Sequence, residues 1–319
     1  MNIEQNMDPE LRAVFVHMPQ LLPDDTGDIV GYLRNSGAEL KALRAGQPVN
    51  DRVTVEDRSV PGLAGAPDVP VRIYMPRNRT DILPGLLYIH GGGFIMGDIE
   101  ADDPHCSRIA EDIGCVVVSV GYRLAPEYPF PAGLEDCYAA LLWMASSAGE
   151  LGIDTARMAV AGGSAGGGLA AAVALMARDR KEVKLVFQQL LCACLDDRHL
   201  TPSSHAFTDG RTWNRQASLG VWKAYLGGAP ADEVSPYAAP ARMKNLSGLP
   251  PAYIMVGELE LLRDENIEYA MRLMQAGVPT ELHVYPGAFH GFEKFVPTAA
   301  ISVRATKEYD EALRRALNR

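Results

Sequence analysis

No apolar run in the chain approaches the about 18 residues that a membrane-crossing helix needs. The first residues, Met1, Asn2, Ile3, Glu4, Gln5, Asn6, Met7 and Asp8, lack both the basic start and the apolar stretch of a secretory signal. A soluble, cytoplasmic protein is the expectation, with no membrane partner. Positive charge is also in short supply: 30 Lys and Arg stand against 40 Asp and Glu, a formal charge of -10. Such a surface repels polyanions, so nucleic acid is not expected as a partner. Cysteine is sparse and unpatterned. The five residues Cys106, Cys115, Cys137, Cys192 and Cys194 are an odd number and show none of the paired spacings that bind zinc. They read as reduced, mostly buried thiols, with no disulfide and no metal site. Cys192 and Cys194, two apart in an apolar run that reads as a strand, should face the same side. Internal repeats and low-complexity tracts are missing too.

What remains is an ordinary globular mixture, 47% hydrophobic and 22% charged over 319 residues, enough for a sizeable core. From about residue 51, short β-branched runs alternate with longer helical stretches, the pattern of a mostly parallel sheet with crossover helices. The spacing predicts eight strands, at 52–59, 69–75, 85–90, 115–122, 158–162, 183–194, 252–257 and 280–285. Helices are expected at 104–113, 133–148, 165–179, 264–276 and 300–317. Gly277 supplies the C-terminal cap of the fourth of these. Residues 1–50 and 197–249 stand outside the alternation. The second segment carries Trp213, Trp222 and Tyr225 and interrupts the strand succession, so both are expected to form one helical cap over the carboxyl edge of the sheet. The catalytic domain would then comprise 51–196 and 250–319.

Gly162, Gly163, Ser164, Ala165 and Gly166 join a strand to an alanine-rich helix. A serine raised on a sharp strand-to-helix turn needs small neighbours two residues before and after it, because the backbone there is strained and crowded. His90, Gly91, Gly92, Gly93 and Phe94 follow an earlier strand directly. Glycine loops of this kind turn backbone N–H groups inward, and Gly92 and Gly93, with the amide of Ala165, are candidates to stabilise an oxyanion. His90 is expected to fix this loop by hydrogen bonding.

A serine hydroxyl needs an adjacent base. Of seven histidines, His290 stands in the loop after the last expected strand, where this architecture presents side chains to the crevice. The acid that orients it should lie in the loop after the preceding strand, where Glu258, Glu260, Asp264 and Glu265 compete. Asp264 and Glu265 are explained as the acidic first turn of the next helix. Glu260 is the first choice and Glu258 the second. The order serine, acid, histidine matches α/β-hydrolases and excludes the chymotrypsin and subtilisin orders.

With these residues, and with Tyr122, Arg123, Leu124, Ala125, Pro126, Glu127 and then Pro129, Phe130, Pro131, Ala132, the chain resembles the bacterial hormone-sensitive-lipase family of α/β-hydrolases over roughly residues 50–319. The resemblance implies a helical cap and a serine carboxylesterase of short-chain acyl esters with no cofactor, acting through Ser164, Glu260 and His290 as a monomer or homodimer. Phe94 and Trp213 are taken as substrate-binding residues. Two positions depart from the family's pattern. Gly163 stands where many members carry Asp, and Glu260-Leu261 where Asp-Pro is usual. Glutamate is one methylene longer, so its side chain must curl or its backbone must sit farther back.

Two other function classes fit less well. A receptor-like binding protein on this fold would be expected to lack the base. A dinucleotide-binding reading of Gly166, Gly168 and Ala171 places the glycines inside a helix, with no acid at the end of the following strand.

Overall fold

The computed structural model describes residues 3–20, 27–44, 50–78, 81–100 and 102–318, with side chains of 40–44 excepted. Eight strands form one sheet: β1 (Val53–Val60), β2 (Val69–Pro76), β3 (Leu83–Ile89), β4 (Val116–Val120), β5 (Ile153–Gly163), β6 (Phe187–Leu191), β7 (Ala252–Gly257) and β8 (Thr280–Tyr285), in the spatial order β1-β2-β4-β3-β5-β6-β7-β8. Only β2 runs against its neighbours on both sides, pairing antiparallel with β1 and β4. All other pairs are parallel. The central strands are buried throughout, as in β4 (VVVSV) and β7 (AYIMVG), which explains their unbroken apolar runs. Edge strand β8 instead carries Glu281 and His283 and stays partly exposed, which discourages further pairing.

The helices are α1 (Pro9–Phe15), α2 (Ile29–Arg44), α3 (Asp103–Ile109), α4 (Ala132–Ser146), α5 (Ala148–Leu151), α6 (Ala165–Arg180), α7 (Pro202–Ala206), α8 (Arg215–Tyr225), α9 (Arg263–Gln275), α10 (Phe292–Phe295) and α11 (Ala300–Leu317). In α6 every residue from Ala165 to Ala177 is buried, as expected of a helix that is apolar all round. By contrast α11 buries one stripe, Ile301, Ala305, Tyr309, Ala312 and Leu313, at three- and four-residue spacing. Gly277, at φ 78°, lies just past α9, and the Val278 amide reaches back to the Leu273 carbonyl. Among the described residues no helix is long and apolar enough to cross a membrane.

All eight expected strands form, but the sixth is shorter than its apolar run. It ends at Leu191, because Cys192 adopts φ 40° and turns the chain out of the ladder. Asn266 then satisfies Ala193 with both amide atoms, and the Glu265 carboxylate accepts from the amides of Leu195 and Asp196. Cys192 and Cys194 therefore do not share a strand face. Of the segments outside the alternation, α2 packs on α8, with Gly220 against Ile29. Residues 1–2, 21–26 and 45–49 of the expected N-terminal cap lie outside the described residues.

A buried charge cluster lies where α3 meets α10 and α11. Asp102 is held near pKa 2 by the Lys294 ammonium, which offsets the cost of burial. Burial and the cations of Arg108 and Lys294 depress His105 to about 3, despite the opposing charge of Asp102, and its ring packs against Tyr88 and Tyr309. A depressed histidine contributes stability that is complete above its unfolded value, near 6.5, and is lost as pH falls toward 3. The Asp102 contribution, present above about 3.8, is lost as pH falls through 2. His105 should therefore pull the urea midpoint down between pH 6.5 and 3, against Glu265, Glu293 and Asp310, whose carboxyl groups are raised by burial and act in the opposite sense. His105→Gln should remove that pull, and an unchanged slope in the variant would disprove the assignment.

Candidate active site

The turn between β5 and α6 places Ser164 at φ 55° and ψ -120°, a strained conformation for a residue with a side chain. Crowding explains its neighbours. A Cβ on Gly162 would lie 2.3 Å from the Gly166 carbonyl oxygen, and one on Gly166 would lie 2.0 Å from that of Ile89. Ser164 donates its own amide to the Leu191 carbonyl, and its carbonyl accepts from Cys194. The backbone is thus pinned to β6, which leaves the hydroxyl directed into a cavity.

His290, in the loop after β8, brings Nε2 to 3.1 Å from Ser164 Oγ. On its other side Nδ1 lies 2.5 Å from Glu260 Oε2. The second oxygen of Glu260 accepts from the Gly257 amide at 2.8 Å, so the longer side chain curls back over its own turn. That curl absorbs the extra methylene. Glu260 is buried, and the three side chains form a continuous hydrogen-bonded chain. The other acids of this loop are engaged elsewhere. Glu258 accepts from the Gly287 amide, Asp264 from the Ser203 amide, and Glu265 from Leu195 and Asp196. Burial holds Glu265 well above the usual carboxylate range.

The glycine loop faces Ser164 from the end of β3, and the Cβ position of Gly91 is 3.5 Å from Ser164 Cβ. Gly92 takes φ 113°, which a side chain would resist. Among the described residues the amides of Gly92, Gly93 and Ala165 have no hydrogen-bond acceptor, which leaves them available to a ligand. The loop is braced from below. His90 Nδ1 bonds the Gly91 carbonyl at 2.7 Å, its ring stacks on Tyr122 at 4.3 Å, and Tyr122 donates its hydroxyl to the His90 carbonyl. Burial depresses the His90 pKa, in keeping with a neutral bracing ring. The Ala125 amide donates to the Phe94 carbonyl, so the stretch 122–132 supports the same loop.

The cavity in front of Ser164 measures about 1580 Å³ and is walled by Met18, Tyr32, Met96, Leu124 and Trp213 among others. Trp213 stands 6.2 Å from the His290 ring, and its edge comes within 3.0 Å of the Cβ position of Gly93. Phe94 is placed differently from the expectation. Its side chain does not line the cavity but stacks on Tyr225 at 4.0 Å, with Trp222 at 5.2 Å, and anchors the loop to α8. Lys294, Asp102 and Cys192 also reach the cavity; no motif marks the first two, and Cys192 reads from the sequence only as a buried strand thiol. Lys294 lies four residues beyond His290, and its Nζ is 3.9 Å from the Cβ position of Gly163.

Residues 86–294 match the family described as alpha/beta hydrolase fold. Esterase LipI of Mycobacterium tuberculosis is 39% identical over 97% of this chain and 94% of its own length. Carboxylesterase NlhH of the same species is 38% identical over 88% of each chain. A solved structure named Bacterial Heroin Esterase superposes with a TM-score of 0.93 at 46% identity, covering 98% of each chain. The chain is therefore a carboxylesterase of the α/β-hydrolase family, in its hormone-sensitive-lipase branch.

Proposed function

We propose that the protein hydrolyses short-chain acyl esters through an acyl-enzyme intermediate, with Ser164 as nucleophile, His290 as base and Glu260 as the orienting acid. The observation that carries this reading is the unbroken hydrogen-bonded chain from Ser164 Oγ through both nitrogens of His290 to Glu260. Nδ1–H donates to the carboxylate, so Nε2 carries the lone pair that accepts the hydroxyl proton. As Oγ bonds the ester carbon, charge collects on the carbonyl oxygen, where the amides of Gly92, Gly93 and Ala165 are the candidate donors. One such donor is worth about 3 to 4 kcal/mol in the transition state. His290 then passes its proton to the departing alcohol as the C–O bond breaks. Water repeats the sequence on the acyl-enzyme, releasing the acid and restoring Ser164. This sequence calls for no metal or organic cofactor.

The segments around α2 and α8 act in this reading as a cap. They meet each other, and Tyr32 from one and Trp213 just before the other both face the cavity. Trp213 stands over the glycine loop and would bound the space for the acyl chain. Hydrolysis of p-nitrophenyl esters from acetate to decanoate should peak at the short end. Trp213→Ala should raise kcat/KM for octanoate relative to acetate by about tenfold, the scale of one or two methylenes in an apolar pocket. A parent enzyme most active on decanoate would refute the short-chain assignment.

A further inference from the structure

Cys192 has no part in the chemistry proposed above, yet its thiol lies beside that chemistry. One ligand atom from each of Cys192, Glu260 and His290 fall within 4.8 Å of one another. Three adjacent strands deliver them: the thiol follows β6, the carboxylate follows β7 and the imidazole follows β8. Cys192 and His290 line the cavity, while Glu260 is buried behind them. The outward turn at Cys192, with φ 40°, is what takes this sulfur off the strand and into the cavity wall.

Thiolate sulfur, imidazole nitrogen and carboxylate oxygen are a donor set for zinc-like ions, and the sulfur disfavours magnesium and calcium. Metal–ligand lengths of about 2.0–2.3 Å in a tetrahedron put donors roughly 3.5 Å apart, so closing the widest pair takes roughly 1 Å of movement. The nearby ammonium of Lys294 is matched by Asp102 at 2.6 Å, which reduces its opposition to a cation.

We propose that Cys192, Glu260 and His290 form an inhibitory site for a thiophilic divalent cation of the zinc or cadmium type, with the fourth coordination position open to the cavity. On binding, the thiol gives its proton to solvent and its sulfur bonds the metal, while Glu260 supplies an oxygen and His290 a nitrogen. If the metal takes Nδ1, the ring proton moves to Nε2, which then has no lone pair for the Ser164 proton. If it takes Nε2, that lone pair is occupied directly. No electron is transferred in either case. The effect on turnover rests on the proposed role of His290, whereas binding itself does not.

The test is titration of the full chain with cadmium chloride. The ultraviolet thiolate-to-cadmium absorption should rise to one ion per chain, p-nitrophenyl butyrate hydrolysis should fall in step, and EDTA should restore both. Magnesium should change neither. Cys192→Ser, and independently Cys192→Ala, each measured against its own metal-free turnover, should lose the absorption and need at least about tenfold more cadmium for half-inhibition. Unchanged inhibition in both variants, or an absorption that survives them, overturns the proposal. Absorption in the parent without loss of turnover overturns it as an inhibitory site. A metal-free parent with no esterase turnover would instead count against the functional reading, because the absorption reports binding regardless.

Discussion

Ser164→Ala is expected to lower kcat for p-nitrophenyl butyrate by about 10³- to 10⁶-fold while leaving the fold and KM nearly unchanged. The hydroxyl is the only part of the side chain removed, and the backbone of Ser164 is held by its own bonds to Leu191 and Cys194. Any residual rate would come from the unpartnered amides and from binding alone. The acid is the more discriminating position. Glu260 is buried and touches His290, so Glu260→Ala removes the group that keeps the proton on Nδ1, at a cost of about 10⁴-fold in kcat. Glu258 bonds the Gly287 amide, so Glu258→Ala should cost about 1 kcal/mol of stability and leave kcat within a few-fold. Steady-state kinetics of the three variants, with thermal melts alongside, separate these effects. An inactive Glu258→Ala beside an active Glu260→Ala would mean that the wrong carboxylate has been assigned.

The choice between those two glutamates shows where sequence reasoning reaches its limit. Strand succession and the serine turn are local: each follows from a run of buried side chains or from glycines at fixed offsets, and each is found in the fold where the pattern puts it. The direction of a carboxylate is not local. Glu260 turns toward His290 because the Gly257 amide catches one of its oxygens, and nothing in the order of residues announces that bond. Cys192 leaves its expected strand position for a related reason. The apolar run 183–194 continues past the last ladder bond, and its final residues are buried by Asn266 and Glu265 of α9, not by strand pairing. Burial by a distant helix and burial in a sheet leave the same hydrophobic signature. Phe94 illustrates the reverse error. Its position beside the glycine loop suggested contact with a ligand, whereas an aromatic partner more than a hundred residues away, Tyr225, draws its ring into the packing under α8.

Gly166→Ala is expected to be among the most damaging single-methyl changes in the chain. Its added carbon would meet the carbonyl oxygen of Ile89 at 2.0 Å and that of His90 at 2.5 Å. Ile89 ends β3 and His90 follows it directly, and β3 is hydrogen bonded to β4 on one side and β5 on the other and cannot move aside. The helix cannot retreat either, because the adjoining Ser164 is pinned to β6 and every residue of the first turns of α6 is buried. The loss should exceed the about 1–3 kcal/mol of ordinary overpacking. At about 1.5 °C per kcal/mol for a chain of 319 residues, the melting temperature should fall by about 5 °C or more. Gly163→Ala in the same pentapeptide is the control: its added carbon would find nothing nearer than 3.9 Å, so the melt should stay within about 2 °C of the parent. Parallel thermal melts decide the matter. If Gly166→Ala melts with the parent while Gly163→Ala collapses, the close approach of α6 to β3 is not what demands glycine at the turn.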